Sequence, residues 1–323
     1  MNIWFFCTIA AILLWAMTSL IYKAGIHKEA ENHTCLKYSV SVGVVFFIIS
    51  LSYLITRDEP FTIWESALRY WPMTLFGIVY FVINTISFNG YIYNEVTVES
   101  PVEGISGGTS TVLLIAVYLL MGRAESISNL LTPLKTTGIV VIVISIILLA
   151  SDRNKEARNK AASEPDAGKS SWKWRGLGTL IFPVMFSMVD ALETVITGIC
   201  LDKTYGYSMP EGDSIIIVGM EYSILAFFCW IYIYVKDREL YNPFRKDNLP
   251  RLLGSVTDNV GIVFYSYAMA IDSVSTDPVL AIYPLFAMIG GRIFMKEKVS
   301  RLQYISALCI IAGSIMVVAD ALT

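Results

Sequence analysis

Histidine is nearly absent: the 323 residues hold two, His27 and His33, both in one polar stretch. A catalytic imidazole or a soft-metal site within an apolar core has no candidate. Charge is scarce too, at 16% of residues against 55% hydrophobic, with a mean hydropathy of +0.60. Soluble domains carry about 25% charged residues. Net charge is −3, so the basic surface that nucleic acid demands is missing. The five cysteines, Cys7, Cys35, Cys200, Cys229 and Cys309, make no metal or redox spacing. They read as small buried residues, and neither a metal nor a cofactor is expected. Long hydrophilic runs are missing as well, with the single exception of residues 152–175.

What remains is apolar sequence in lengths that suit a bilayer, about 20 residues each. Ten candidate spans are expected: 3–22, 35–55, 70–92, 101–121, 134–151, 176–200, 213–235, 250–271, 275–294 and 301–320. The first lacks a basic n-region and an A-x-A site and is too long for a cleaved signal peptide. Residues 152–175 divide the chain into halves, 1–151 and 176–323. Alternate loops differ sharply in Lys and Arg, nineteen on one side against Arg57, Arg69, Arg123, Lys135 and Lys203 on the other. The positive-inside rule then makes the charge-rich side cytoplasmic and puts both termini outside, with the plasma membrane as the expected location.

The halves echo one another. A shift of 174 residues sets Asn84 on Asp258, Tyr91 on Tyr265, Tyr93 on Tyr267 and Glu103 on Asp277, and a shift of 168 sets Leu134 on Leu302 and Asp152 on Asp320. Five spans is an odd number, so the second half runs in the opposite sense. The expected fold is an all-α integral membrane protein with ten transmembrane helices, as two inverted five-helix repeats around a central cavity. Such repeats mark secondary transporters, with the solute at their interface.

Two stretches carry a family likeness. Residues 283–320, "YPLFAMIGGRIFMKEKVSRLQYISALCIIAGSIMVVAD", have a Tyr-Pro helix start, a charged "KEKVS" turn and a Gly-bearing last span. The first span, "AAILLWAMTSLIYKAG", has Trp15 in an A-x-x-W opening, with Ala16 where the family has Gly. The middle turn, "LLMGRAESIS", has its acid displaced to Glu125. The chain resembles the EamA type of the drug/metabolite transporter superfamily along its whole length. That resemblance implies a ten-helix metabolite transporter or exporter working by alternating access, often coupled to protons, and usually with cytoplasmic termini.

Acids inside the apolar runs are the candidate site, since an ionisable residue at mid-bilayer costs roughly 2.5–3.5 kcal/mol on insertion scales. The sixth span presents Ser187, Asp190, Thr194 and Thr197 as one stripe, with Glu193 beside it. The seventh holds Glu221 and Tyr222. The eighth holds Ser255, Asp258, Asn259 and Ser266, near Tyr265 and Tyr267. By helical rise Asp190 lies ~21 Å from the inner edge and Glu221 ~12 Å from the outer one, which is one level of a ~30 Å core. Asp258 and Trp15 share a second level, ~12 Å from the inner edge. With Asn84 and Tyr283, these residues are expected to line a cavity for a cationic or zwitterionic amine, an amino acid or drug among the options. Carboxylates supply the counter-charge and aromatic faces add cation–π attraction. The same acids can carry protons. A divalent metal is the alternative solute, and a non-transporting receptor is the alternative class.

One motif points elsewhere. Gly104-Ile105-Ser106-Gly107 matches the G-x-S-G of an intramembrane serine protease. A nucleophilic serine needs a base within hydrogen-bond reach, and neither histidine lies in a span. The repeat sets Glu103-Gly104 on Asp277-Pro278, so both acids are expected at helix starts, where the dipole suits them. No enzymatic activity is expected, though Ser106 can still face solute.

Overall fold

A computed structural model describes residues 3–26, 33–57, 61–94, 96–122, 132–145, 148, 181–204, 206–238, 240–280, 282–297 and 300–322. The connecting stretch 152–175, His27, Glu125 and the end of the fifth expected span lie outside the described residues. Every regular element among the described residues is helical: α1 (Ile3–Gly25), α2 (Thr34–Ile55), α3 (Ile63–Arg69), α4 (Trp71–Ser87), α5 (Asn89–Tyr93), α6 (Val96–Glu103), α7 (Ile105–Leu120), α8 (Pro133–Ser145), α9 (Ile181–Leu201), α10 (Glu211–Asp237), α11 (Leu249–Leu280), α12 (Tyr283–Phe294) and α13 (Arg301–Leu322). Five stretches are long and apolar enough to cross a membrane: α1, α2, α4 with α5 to Ile92, α9 and α10; the bent pair α11–α12 makes a sixth.

The expected spans near 101–121 and 275–294 are broken. Asn94 is extended (φ −107°, ψ 154°), and α6 begins two residues later and stops at the Gly104 turn before α7. In the second half Asp272 departs from helical geometry inside α11 (φ −154°, ψ 87°), leaving a terminal arm 273–280. The stretch Lys246–Leu280 and α12 meet at a bend of 44°. Pro284 lies in the first turn of α12, where its missing N–H has no partner to lose, so a helix start there suits proline. Glu103 and Asp277 therefore do not begin helices, as their alignment implies. Glu103 ends α6, and Asp277 lies in the arm before the bend.

Packing is antiparallel across the halves. α1 lies on the long arm of α11: Gly25 meets Pro250, Thr18 Oγ1 meets Thr257 Oγ1 at 2.8 Å, and Trp15 meets Gly261 and Tyr265. α9 lies on α4 in the same way, with Ser87 donating to Phe182 O at 3.2 Å and Tyr80 against Phe186. α2 and α10 close on each other reciprocally. A Cβ on Gly43 would strike Ala226 and Tyr222 O, and one on Gly219 would strike Ser50 and approach Phe46 O. Gly43 and Gly219, Phe46 and Tyr222, and Ser50 and Ala226 are each 176 positions apart. α8 and α13 repeat the exchange. Gly138 faces Gly313 O and Val317, and Gly313 faces Gly138 O and Ile142. Gly138 and Gly313, like Ile142 and Val317, are 175 positions apart. The shift of 168 laid over this pair in the sequence is not its packing register. Leucine recurs too often in apolar helices for Leu134 and Leu302 to fix a register.

Loop contacts sort into two ends. At the charge-rich end Lys23 Nζ donates to Tyr91 O and Asn94 O, both at 2.7 Å, His33 pairs with Asp237, and Trp230 donates to Tyr241 O. At the other end Arg57 pairs with Asp213, Lys203 with Glu211, and Lys203 N donates to Ala270 O.

Candidate functional site

Between the ends lies a cavity of about 70 Å3, enclosed by residues of α1, α4, α7, α9, α10, α11 and α12. A water takes roughly 30 Å3 and drug-sized sites run to roughly 300–1,000 Å3, so this is a small, partly open space. Three acids line it: Asp190, Glu193 and Asp277. Five aromatic side chains join them: Trp15, Tyr80, Tyr222, Tyr265 and Tyr283. Hydroxyls come from Ser106, Thr194, Thr197, Ser214 and Ser266, and no lysine, arginine or histidine is among the lining residues.

The polar stripe of α9 follows from helical spacing, since residues three and four apart share a face. Asp190, Glu193, Thr194 and Thr197 all reach the cavity. Thr197 Oγ1 donates to Glu193 Oε1 at 2.6 Å, while Ser106 and Tyr80 approach Asp190. Ser110 approaches Asp277, which is almost wholly buried and whose Oδ2 has no hydrogen-bond partner. A helix break brings backbone charge to the same place. Gly104, where α6 gives way to α7, lines the cavity, and so do Leu280 and Tyr283, which flank the other bend. The bend between α11 and α12 thus sets the electronegative end of one helix beside the electropositive start of the next, whereas at Gly104 the backbone stays right-handed (φ −64°, ψ −9°).

Six of the ten expected site residues meet here: Trp15, Asp190, Glu193, Tyr222, Tyr265 and Tyr283. The other four do not line the cavity. Asp258 lies beneath Trp15, accepting from Tyr22 Oη on Oδ2 at 3.3 Å and from Trp15 Nε1 on its backbone oxygen at 3.2 Å. Asn259 is fully buried and donates to Val42 O at 2.9 Å. Asn84 is half-buried on α4. Glu221 turns toward Gly77, where a Cβ would collide with its Oε2, and neither carboxylate oxygen has a hydrogen-bond partner. Depth along a span is not rotation about it, and only rotation decides cavity contact.

Sequence reasoning missed Tyr80 and Asp277 as site members. Tyr80 has no polar match under the repeat shift, so nothing marked it. Asp277 was legible by the same criterion as Asp190, an acid within an apolar run. Arg251, counted as a loop cation, is 2% exposed, donates to Asn248 Oδ1 at 2.7 Å and lies over the Tyr38 ring.

Apolar helices of spanning length around a buried polar cavity define a multi-pass integral membrane protein. Residues 181–319 match the model of the EamA-like transporter family, so the second half of the chain carries the likeness to the drug/metabolite transporters. A solved crystal structure, described only as that of a protein, shares the fold over 98% of both chains at 14% identity and a TM-score of 0.56. No curated protein matches the chain.

Proposed function

We propose that the protein is a secondary transporter of a small cationic or zwitterionic amine, working by alternating access between two inverted five-helix repeats. The observation that carries the solute's charge is the cavity wall: three carboxylates and no cationic side chain. Two carboxylates ~6 Å from an ammonium contribute roughly 5 kcal/mol at an effective dielectric near 20, before desolvation takes back much of it. Aromatic faces add to the attraction for an organic cation. The repeat reading is supported by the exchanged pairings, α1 with α11 against α9 with α4, and by the reciprocal glycine contacts of α2–α10 and α8–α13. Among the described residues no three His, Cys, Asp or Glu side chains gather closely enough to hold a metal ion, which favours the amine over a divalent metal.

The test is binding by the purified protein, read by calorimetry with small amines, α-amino acids and size-matched carboxylates. An amine should bind and the matched anion should not. Asp190→Asn combined with Glu193→Gln should weaken the amine at least tenfold and leave a neutral analogue nearly unchanged. Protons compete for the same carboxylates, so amine affinity should fall as pH falls, and the double variant should flatten that slope. Tight binding of a simple carboxylate, with no amine bound, sinks the proposal. Binding without flux in proteoliposomes supports a receptor instead.

A further inference from the structure

Two carboxylates outside the cavity do matching work at opposite ends of the protein. Glu297 stands in the turn between α12 and α13. Its Oε1 accepts from Val96 N at 3.1 Å and its Oε2 from Thr97 N at 2.9 Å, the first two amides of α6. Gly291 leaves room for it, since a Cβ there would lie 2.8 Å from Oε2. Asp202 stands just after α9. Its Oδ2 accepts from Ser273 N at 3.2 Å and Ser273 Oγ at 2.5 Å, at the first residue of the arm 273–280, while its Oδ1 holds Thr204 N at 2.8 Å.

The chemistry is the same in both places. The first amides of a helix have no partner within it, and an anion there meets both the free N–H groups and the positive dipole end. Charge-assisted bonds of this kind are the strong ones. The two short helices are the broken elements whose far ends reach the cavity, α6 at Gly104 and the arm at Asp277 and Leu280. Glu297 lies at the charge-rich end beside Asn94 and Lys23; Asp202 lies at the other end beside Lys203 and Ala270. Each carboxylate therefore ties down the outer end of a segment whose inner end is cavity wall.

We infer that Glu297 and Asp202 are the latches of two opposed gates: releasing Glu297 frees α6 and opens the cavity to the charge-rich face, and releasing Asp202 frees the arm 273–280 and opens it to the other. Both are engaged in this structure. The inference rests on the transporter reading for its purpose, but its test reads conformation and needs no solute.

A cysteine replaces Ser106 on the cavity wall in a background without the five native cysteines. An impermeant maleimide is applied from either face of sealed vesicles. Glu297→Gln should raise labelling from the charge-rich face about tenfold and leave the other face unchanged; Asp202→Asn should do the converse. A reversible crosslink between Glu297→Cys and Thr97→Cys should block labelling from the charge-rich face alone, and it serves where an amide variant does not fold. Hydrogen exchange of the Val96, Thr97 and Ser273 amides checks that each latch has been released. If both amide variants raise labelling from the same face, or neither changes it though the amides exchange freely, the latches are not gates and the inference falls. If labelling switches faces as expected while no amine binds or crosses, the gates stand and the proposed solute is what fails.

Discussion

The two routes out of the cavity are built differently. Toward the charge-rich end it is floored by Trp15, with Tyr265 at 5.4 Å and Tyr283 at 6.2 Å between ring centres. Beneath them lies a second aromatic layer, in which Tyr22, Tyr38 and Phe88 pack mutually at 4.9–5.2 Å. Toward the other end the cavity wall already includes Met73 and Ser214, each within three residues of the start of its helix. Among the described residues, contacts beyond it at that end include the Tyr53–Tyr267 hydroxyl pair at 3.3 Å, the Arg57–Asp213 and Lys203–Glu211 ion pairs and the Asp202–Ser273 bonds. One side is closed by two layers of ring packing, the other by a few polar contacts. The cavity therefore lies off-centre, nearer the end with few basic residues.

Deciding which of these ends meets the cytoplasm is the sharpest way to test what that asymmetry means. If the nineteen-to-five imbalance of Lys and Arg sets the orientation, the thick seal faces the cytoplasm. A cysteine at Ser163, in a background without the native cysteines, should then be essentially fully protected from an impermeant thiol reagent in intact cells. Ready labelling would turn the protein over, restore the usual family orientation, and place the thick seal outside.

A smaller effect separates the seals by packing. Gly254 lies under the Tyr22 ring, where a Cβ would come within 2.4 Å of Cδ1, whereas one on Gly212 would meet only Tyr53 Cδ1, at 3.6 Å. Gly254→Ala should cost about 1–3 kcal/mol through overpacking, and Gly212→Ala, near a helix start, should be neutral or gain about 0.4–1 kcal/mol. Thermal unfolding in detergent measures both. Equal losses would mean that the two ends are packed alike.

The smallest contrast is between two hydroxyls. Tyr22→Phe removes a bond to the Asp258 carboxylate, and Tyr53→Phe removes one to another phenol. A buried acceptor left short of a donor costs about 1–3 kcal/mol, whereas an ordinary neutral bond contributes about 0.5–1.5 kcal/mol. The Tyr22 variant should therefore unfold at the lower temperature, and the reverse order would mean that Asp258 is held by other groups.

Much of this architecture was legible in the sequence, because long apolar runs and an acid-bearing stripe are local signals. Asp190, Thr194 and Thr197, with Glu193 beside them, were readable from spacing alone and reach the cavity, whereas Ser187 of the same stripe does not line it. The helix breaks at Asn94 and Asp272 were not, because the apolar pattern continues through them and only backbone geometry reveals the interruption. Glu297 and Asp202 were hidden for a related reason. Their partners are backbone amides far along the chain, which carry no residue signature. Glu221 shows the converse error: its depth fits the site, and its rotation toward Gly77 does not.

The facing glycines of α8 and α13 have one more consequence. With Gly138 and Gly313 each set against the other's carbonyl oxygen, the two helices touch backbone to backbone, with no side chain between them to yield. Sliding would drive one peptide ridge into the next, while rotation about the contact costs little. On α2 and α10 the glycines are staggered instead, Gly43 against Ala226 and Gly219 against Ser50, so side chains as well as backbone meet there.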